Sequence, residues 1–189
     1  MAGARETVAE SRTGGEKDAR NHFAVRRGLH PRRMAPSRRS LMSRLHLSKT
    51  FESNPEAGEI IRSATTAIAS ILQMNQKVLP GHKRSLISRM IWKITEAHGK
   101  YNTQFCSEGA LQDADDFRHD HVTTRKNLID RLMKAPLDFE SILKDAIGCT
   151  VTTDEHENLS DLADEIIGWD RYKKAGVRVF DRVEQKFRK

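Results

Sequence analysis

At 189 residues and 37% hydrophobic, the chain is long enough for one domain with a real core. Its formal charge of +7 is unevenly placed: residues 1–50 hold twelve Arg and Lys against four acids, whereas residues 51–189 hold 21 bases and 22 acids. Two cysteines exclude a disulfide framework or a four-cysteine zinc site within one chain, and no stretch approaches transmembrane length.

Residues 1–50 read as a disordered basic tail. Gly14-Gly15, Pro31, Pro36 and dense charge leave little apolar surface to bury. Such a tail suits contact with a polyanion. Phe23 is its one aromatic through residue 50, so base stacking is not suggested. A solubilising arm, or sequence upstream of a start at Met34, explains the same residues. Acids interrupt the early segment and no long apolar core follows the bases, which argues against a targeting peptide. With no visible signal peptide, a cytoplasmic location is expected. LMSRLHL, residues 41–47, reads as a short amphipathic turn.

Residues 51–189 read as a single mostly helical domain, mainly α with a few short strands (α+β). Ile60, Ile61, Ala64, Ile68, Ile71, Leu72 and Val78 recur at helical spacing and predict a helix over 55–78, closed by Pro80-Gly81. Leu86, Ile87, Met90, Ile91 and Ile94 predict a second over 83–99, stopped by Gly99. Trp92 sits at the edge of that stripe, at an interface or in the core. His98 reads as a helix C-terminal cap. Residues 100–117 lose the helical period and read as a long connection with one short turn at Glu108–Gln112. RHDHVTT then reads as a strand running into a helix capped by Thr124. Residues 137–147 predict a short helix and Cys149–Thr153 a strand. Thr153 or Asp154 caps a helix that runs to Gly168. Residues 176–187 alternate as a final strand, or as a strand running into a frayed helix.

Two segments carry the chemistry. RHDHV, residues 118–122, places His119 and His121 on one face of a strand and Asp120 on the other. DEHEN, residues 154–158, places His156 in the first turn of a helix, where Asp154 and Glu155 serve equally well as caps. If the segments meet, they hold ligands enough for one metal. If they do not, His121 is a histidine that fixes a loop and His156 lies on a solvated face. Trp169, Arg171, Lys173 and Lys174 combine an aromatic with bases near a turn, as a nucleic-acid or partner contact does. Trp169 packing the final strand onto the helices is the other reading.

The run Asp120-His121-Val122, followed by a strand and a helix bearing His156, resembles the HNH, or ββα-metal, nuclease family over residues 118–159. The resemblance implies a ββα-metal-like element in the C-terminal half and metal-dependent phosphodiester hydrolysis. By it, His121 is the general base, Asp120 holds a divalent metal ion (Mg²⁺, Mn²⁺ or Zn²⁺), and His156 is the second ligand, with His119 as a further metal candidate. Arg118 or Arg125 clamps the phosphate, and Arg118 and Lys126 extend the nucleic-acid-binding surface. His119, His121, Cys149 and His156 also form a candidate tetrahedral zinc set. The other class of function is a non-enzymatic nucleic-acid or protein-binding module with a basic N-terminal arm. DNA is favoured over RNA as partner, membrane insertion is not expected, and a homo-oligomer is compatible with the sequence.

Overall fold

Isoleucines three and four residues apart organise the helical half of the molecule. The computed structural model describes residues 47–112 and 116–188; the basic tail up to residue 46, and the turn expected at 41–47 except Leu47, lie outside the described residues. Helix α1 (Ala57–Gln73) buries Ala64, Ile68 and Ile71. Helix α2 (Pro80–Thr95) buries Ile87, Ile91 and Ile94. These stripes pack with Leu128, Ile129 and Leu132 of α4 (Arg125–Lys134) and with Ile142 and Leu143 of α5 (Phe139–Leu143). Helix α1 is shorter than its apolar period suggests because the chain turns extended at Met74. Pro80, expected to close the first helix, opens the second: at the first helical position its missing N–H costs nothing.

The stretch expected to be a connection holds the middle of a sheet. Strands β1 (Phe105–Ser107), β2 (Phe117–His121), β3 (Gly148–Thr152), β4 (Val179–Asp181) and β5 (Lys186–Phe187) join in the order β2-β3-β1-β4-β5. Strand β1 runs parallel to β3 and antiparallel to β4. The pairs β2–β3 and β4–β5 are antiparallel. The short helix α3 (Glu108–Leu111) follows β1, with the Ser107 side chain accepting from Ala110 N. Helix accounts for 50% and strand for 13% of the structure, so the fold is α+β with helix dominant.

Register sets the two faces of the sheet. Phe105, Asp120, Cys149, Val151 and Val179 share one face, where Leu159 of α6 (Thr153–Ser160) and Tyr172 of α7 (Trp169–Lys174) join the core. Cys106, Phe117 and Phe180 share the opposite face with His119 and His121. Helix α6 is capped one residue earlier than expected: Thr152 accepts from Glu155 N, and Glu155 reaches back to Thr152 N at 2.9 Å. It ends at Ser160, not near Gly168. The final strand is a hairpin of two short ones. Thr152→Ala removes half of the capping box; it costs about 1 kcal/mol and lowers Tm by about 2–4 °C, read by thermal denaturation.

Candidate functional site

Strand β2 lies at the sheet edge, and its alternation distributes the candidate residues. His119 and His121 stand opposite Thr150 and Gly148 of β3; Asp120 stands opposite Cys149 on the other face. Because β2 is an edge strand, a cleft of about 340 Å³ reaches residues of both faces. It is lined by these three side chains together with Trp92, Arg125, Lys126, His156 and Arg171. The two histidine segments of the sequence therefore meet: His156 Nε2 lies 3.7 Å from Asp120 Oδ1.

The histidine pair is built by α2. Trp92 packs on both rings, with centroids at 5.1 Å from His119 and 4.6 Å from His121. The two imidazoles are 5.1 Å apart. Thr95, near the end of the same helix, places its hydroxyl 3.1 Å from His119 Nε2 and 3.3 Å from His121 Nε2. His119 Nδ1 lies 2.8 Å from the Lys100 carbonyl. That carbonyl can only accept, so Nδ1 carries the proton of a neutral His119 and Nε2 is bare. The Thr95 hydroxyl then donates to His119 Nε2 and accepts from His121 Nε2–H. The chain of bonds leaves the lone pair of His121 on Nδ1, which no described residue hydrogen-bonds. The His121 side chain is one of those lining the cleft. Burial, then the charges of His119, Arg125, Arg171 and His156, push the His121 imidazole down to about 3. Burial also lowers His119, against its bond to Lys100. Both rings are neutral at physiological pH.

Behind β2 lies a buried ion pair. Arg171 donates to Asp120 Oδ2 and, at 2.9 Å, to the His121 carbonyl. The Tyr172 hydroxyl donates to Asp120 Oδ2 at 2.6 Å. Asp120 and Arg171 are each 5% exposed. Burial pushes the Asp120 carboxyl upward, and Arg171, Tyr172 and His156 pull against it.

This geometry corrects the expected metal centre. Among the described residues, no three His, Cys, Asp or Glu side chains are grouped to hold a metal ion. Asp120 is committed to a guanidinium whose positive charge opposes a cation at the same oxygen. His119 projects from the opposite face of β2, with both ring nitrogens bonded to protein. Cys149 is fully buried on the Asp120 face and does not line the cleft, so the zinc set of His119, His121, Cys149 and His156 does not assemble. Asp120, His156 and His119 thus do not fit a divalent cation. Both thiols are buried; desolvation raises Cys106 to about 12 and Cys149 well above its usual range, which removes them as nucleophiles.

The remaining candidates divide between the cleft and elsewhere. Arg125 stacks over Trp92 at 4.8 Å and donates to Ser88 Oγ at 3.0 Å. Lys126 pairs with Asp164 at the rim. Arg118 is paired with Asp116. Trp169 packs edge-on against Phe105 at 4.9 Å, under Arg188 at 4.3 Å. Lys173 and Lys174 are exposed on α7; Arg171, expected beside them on the surface, is turned inward to Asp120. His98 accepts from Asn54 N at 3.2 Å and packs on Phe51 at 4.9 Å, fixing the chain that enters α1. Thr95 and Gly148 are not legible as site residues in the sequence, since nothing local marks a threonine 24 and 26 residues before the histidines it joins. No protein-family model, no curated protein and no solved structure matches this chain significantly.

Proposed function

We propose that the cleft beside β2 binds the phosphate backbone of a nucleic acid. One observation carries this reading. The Arg125 guanidinium is held in place by Trp92 and by one hydrogen bond to Ser88, and among the described residues it pairs with no carboxylate. Its other N–H donors, set in a planar fork, suit two phosphate oxygens. The acids in the cleft are already matched, Asp120 by Arg171 and Asp164 by Lys126. Neutral histidines add donors and acceptors without adding negative charge. The twelve bases in the first 50 residues supply long-range attraction to the same kind of partner.

The test is fluorescence anisotropy on the full chain with fluorescein-labelled single-stranded RNA and DNA at 50–200 mM salt. The tail is common to all variants, so differences report the cleft. Arg125→Gln is expected to weaken binding about tenfold, the order of one charge-assisted hydrogen bond, and to reduce the salt slope by about one. Affinity and slope unchanged by Arg125→Gln would remove the cleft from nucleic-acid binding.

A further inference from the structure

We infer that the cleft cleaves RNA by internal transesterification, with His121 as proton acceptor and His156 as proton donor. This assignment rests on the phosphate-binding reading of the cleft and names its substrate and reaction. It departs from the sequence expectation of DNA for a chemical reason. Hydrolysis of a DNA diester needs water activated at the site, and the donor groups here are not arranged to hold a metal that would do so. RNA carries its own nucleophile. A ribose 2′-hydroxyl sits next to the phosphorus it attacks, and an intramolecular reaction of that kind needs only proton transfer and charge stabilisation.

The residues supply both. His121 Nδ1 is left with its lone pair because Nε2–H is taken by Thr95. It accepts the 2′-hydroxyl proton as the O2′–P bond forms. A bound phosphodiester sets a negative charge against this imidazole and raises its proton affinity, opposing the burial that keeps it neutral in the free protein. Arg125 faces the non-bridging oxygens as charge gathers on them. His156, half-buried on α6 with Nε2 3.7 Å from Asp120 Oδ1, delivers a proton to the 5′-oxygen as the P–O5′ bond breaks. The products are a 2′,3′-cyclic phosphate and a 5′-hydroxyl end. The proton gained by His121 and the proton lost by His156 exchange with solvent, so no oxidant, reductant or co-reactant is consumed. Thr95 is a positioning residue: it touches no substrate and sets which nitrogen of His121 is bare.

The experiment incubates the full-length protein with a random-sequence RNA pool and with total transfer RNA, in EDTA. Expected is strand cleavage yielding 2′,3′-cyclic phosphate ends by mass spectrometry, with an all-DNA pool of the same length left intact. His121→Asn and His156→Asn are each expected to lower the rate about 10²–10⁴-fold while RNA binding persists. His156 is the less buried of the two, so its variant keeps the test open if His121→Asn fails to fold. Thr95→Val is expected to lose activity that Thr95→Ser retains, a rescue that a packing role does not require of a hydroxyl. RNA bound but uncut in EDTA, equal cleavage of DNA, or full activity in His156→Asn overturns the inference and leaves phosphate binding standing. Absence of RNA binding by the wild type overturns both.

Discussion

Arg171→Met destabilises the folded protein by about 3–5 kcal/mol at neutral pH, the cost of leaving one charge of a buried pair without its partner. Arg171 is buried, and its guanidinium ties α7 to two other pieces of chain: Asp120 and the His121 carbonyl at the end of β2, and the Leu159 carbonyl of α6 at 3.3 Å. Methionine keeps much of the volume and removes the charge and the donors. Asp120 then faces the Tyr172 hydroxyl on α7, His156 on α6 and the Cys149 thiol on β3, and none of these is a fixed cation. The pH dependence follows from the direction of the shift. Burial already pushes the Asp120 carboxyl up, and loss of the adjacent cation pushes it further. A carboxyl raised in the folded state contributes stability that is fully present below its unfolded value, about 3.9, and lost as pH rises through the folded value. The penalty relative to wild type is therefore largest at pH 7 and shrinks as pH falls toward about 4. Urea denaturation of both proteins at the two pH values measures it. A penalty below about 1 kcal/mol, or one independent of pH, contradicts the buried-pair account. Arg171→Met with Asp120→Leu recovers part of the loss, since removing both charges removes the desolvation cost as well.

What the sequence made legible follows from how local each signal is. The isoleucine stripes of α1 and α2 repeat often enough to identify two helices, and Thr124 caps α4 as its position suggests. The alternation of His119, Asp120 and His121 needs only five residues of strand, and β2 supplies them. Strand β1 was illegible because three residues cannot display a period; it is a strand through its pairing with β3 and β4. The α6 region was overread because Leu159, Leu162, Ile166 and Ile167 keep a helical spacing after the hydrogen-bonded helix has ended at Ser160. At the site, the resemblance to a metal nuclease rested on the run Asp120-His121-Val122 and a later helix with His156; Asp120 and His156 do lie close. What decides their chemistry is Arg171, about fifty residues farther along the chain. Its short-range neighbours Lys173 and Lys174 made it look like part of a surface patch.

Gly148→Ala is expected to cost about 1–3 kcal/mol, the range for forcing an extra carbon into a filled space. The glycine is not required by its backbone, since it is not among the residues with positive φ. It is required by the His119 ring, which lies against it. A Cβ at this position would meet His119 Cε1 at 2.6 Å and Nε2 at 2.9 Å, with the Thr95 carbonyl at 3.1 Å on the same side. The carbonyl belongs to the backbone of α2 and gives little. The ring is held at Nδ1 by Lys100 and at Nε2 by Thr95, so it swings aside only by giving up one of these bonds. The strain and the lost bond are one event, which a double-mutant cycle separates from a general weakness of β3. His119→Ala alone removes the ring and opens the space that a Cβ at 148 needs. The two losses should therefore fall short of additive by more than about 0.5 kcal/mol in the double variant, read by urea unfolding of the four proteins. Additivity within that margin would mean that His119 is not what Gly148 accommodates. Where the ring moves, the Thr95 hydroxyl is released from His119 Nε2 and turns its proton toward the Trp92 carbonyl 3.4 Å away or toward His121 Nε2. In the second case His121 holds its proton on Nδ1 and can no longer accept one there. Gly148→Ala should then cut the proposed RNA cleavage by more than its stability loss accounts for at a temperature where the variant remains folded.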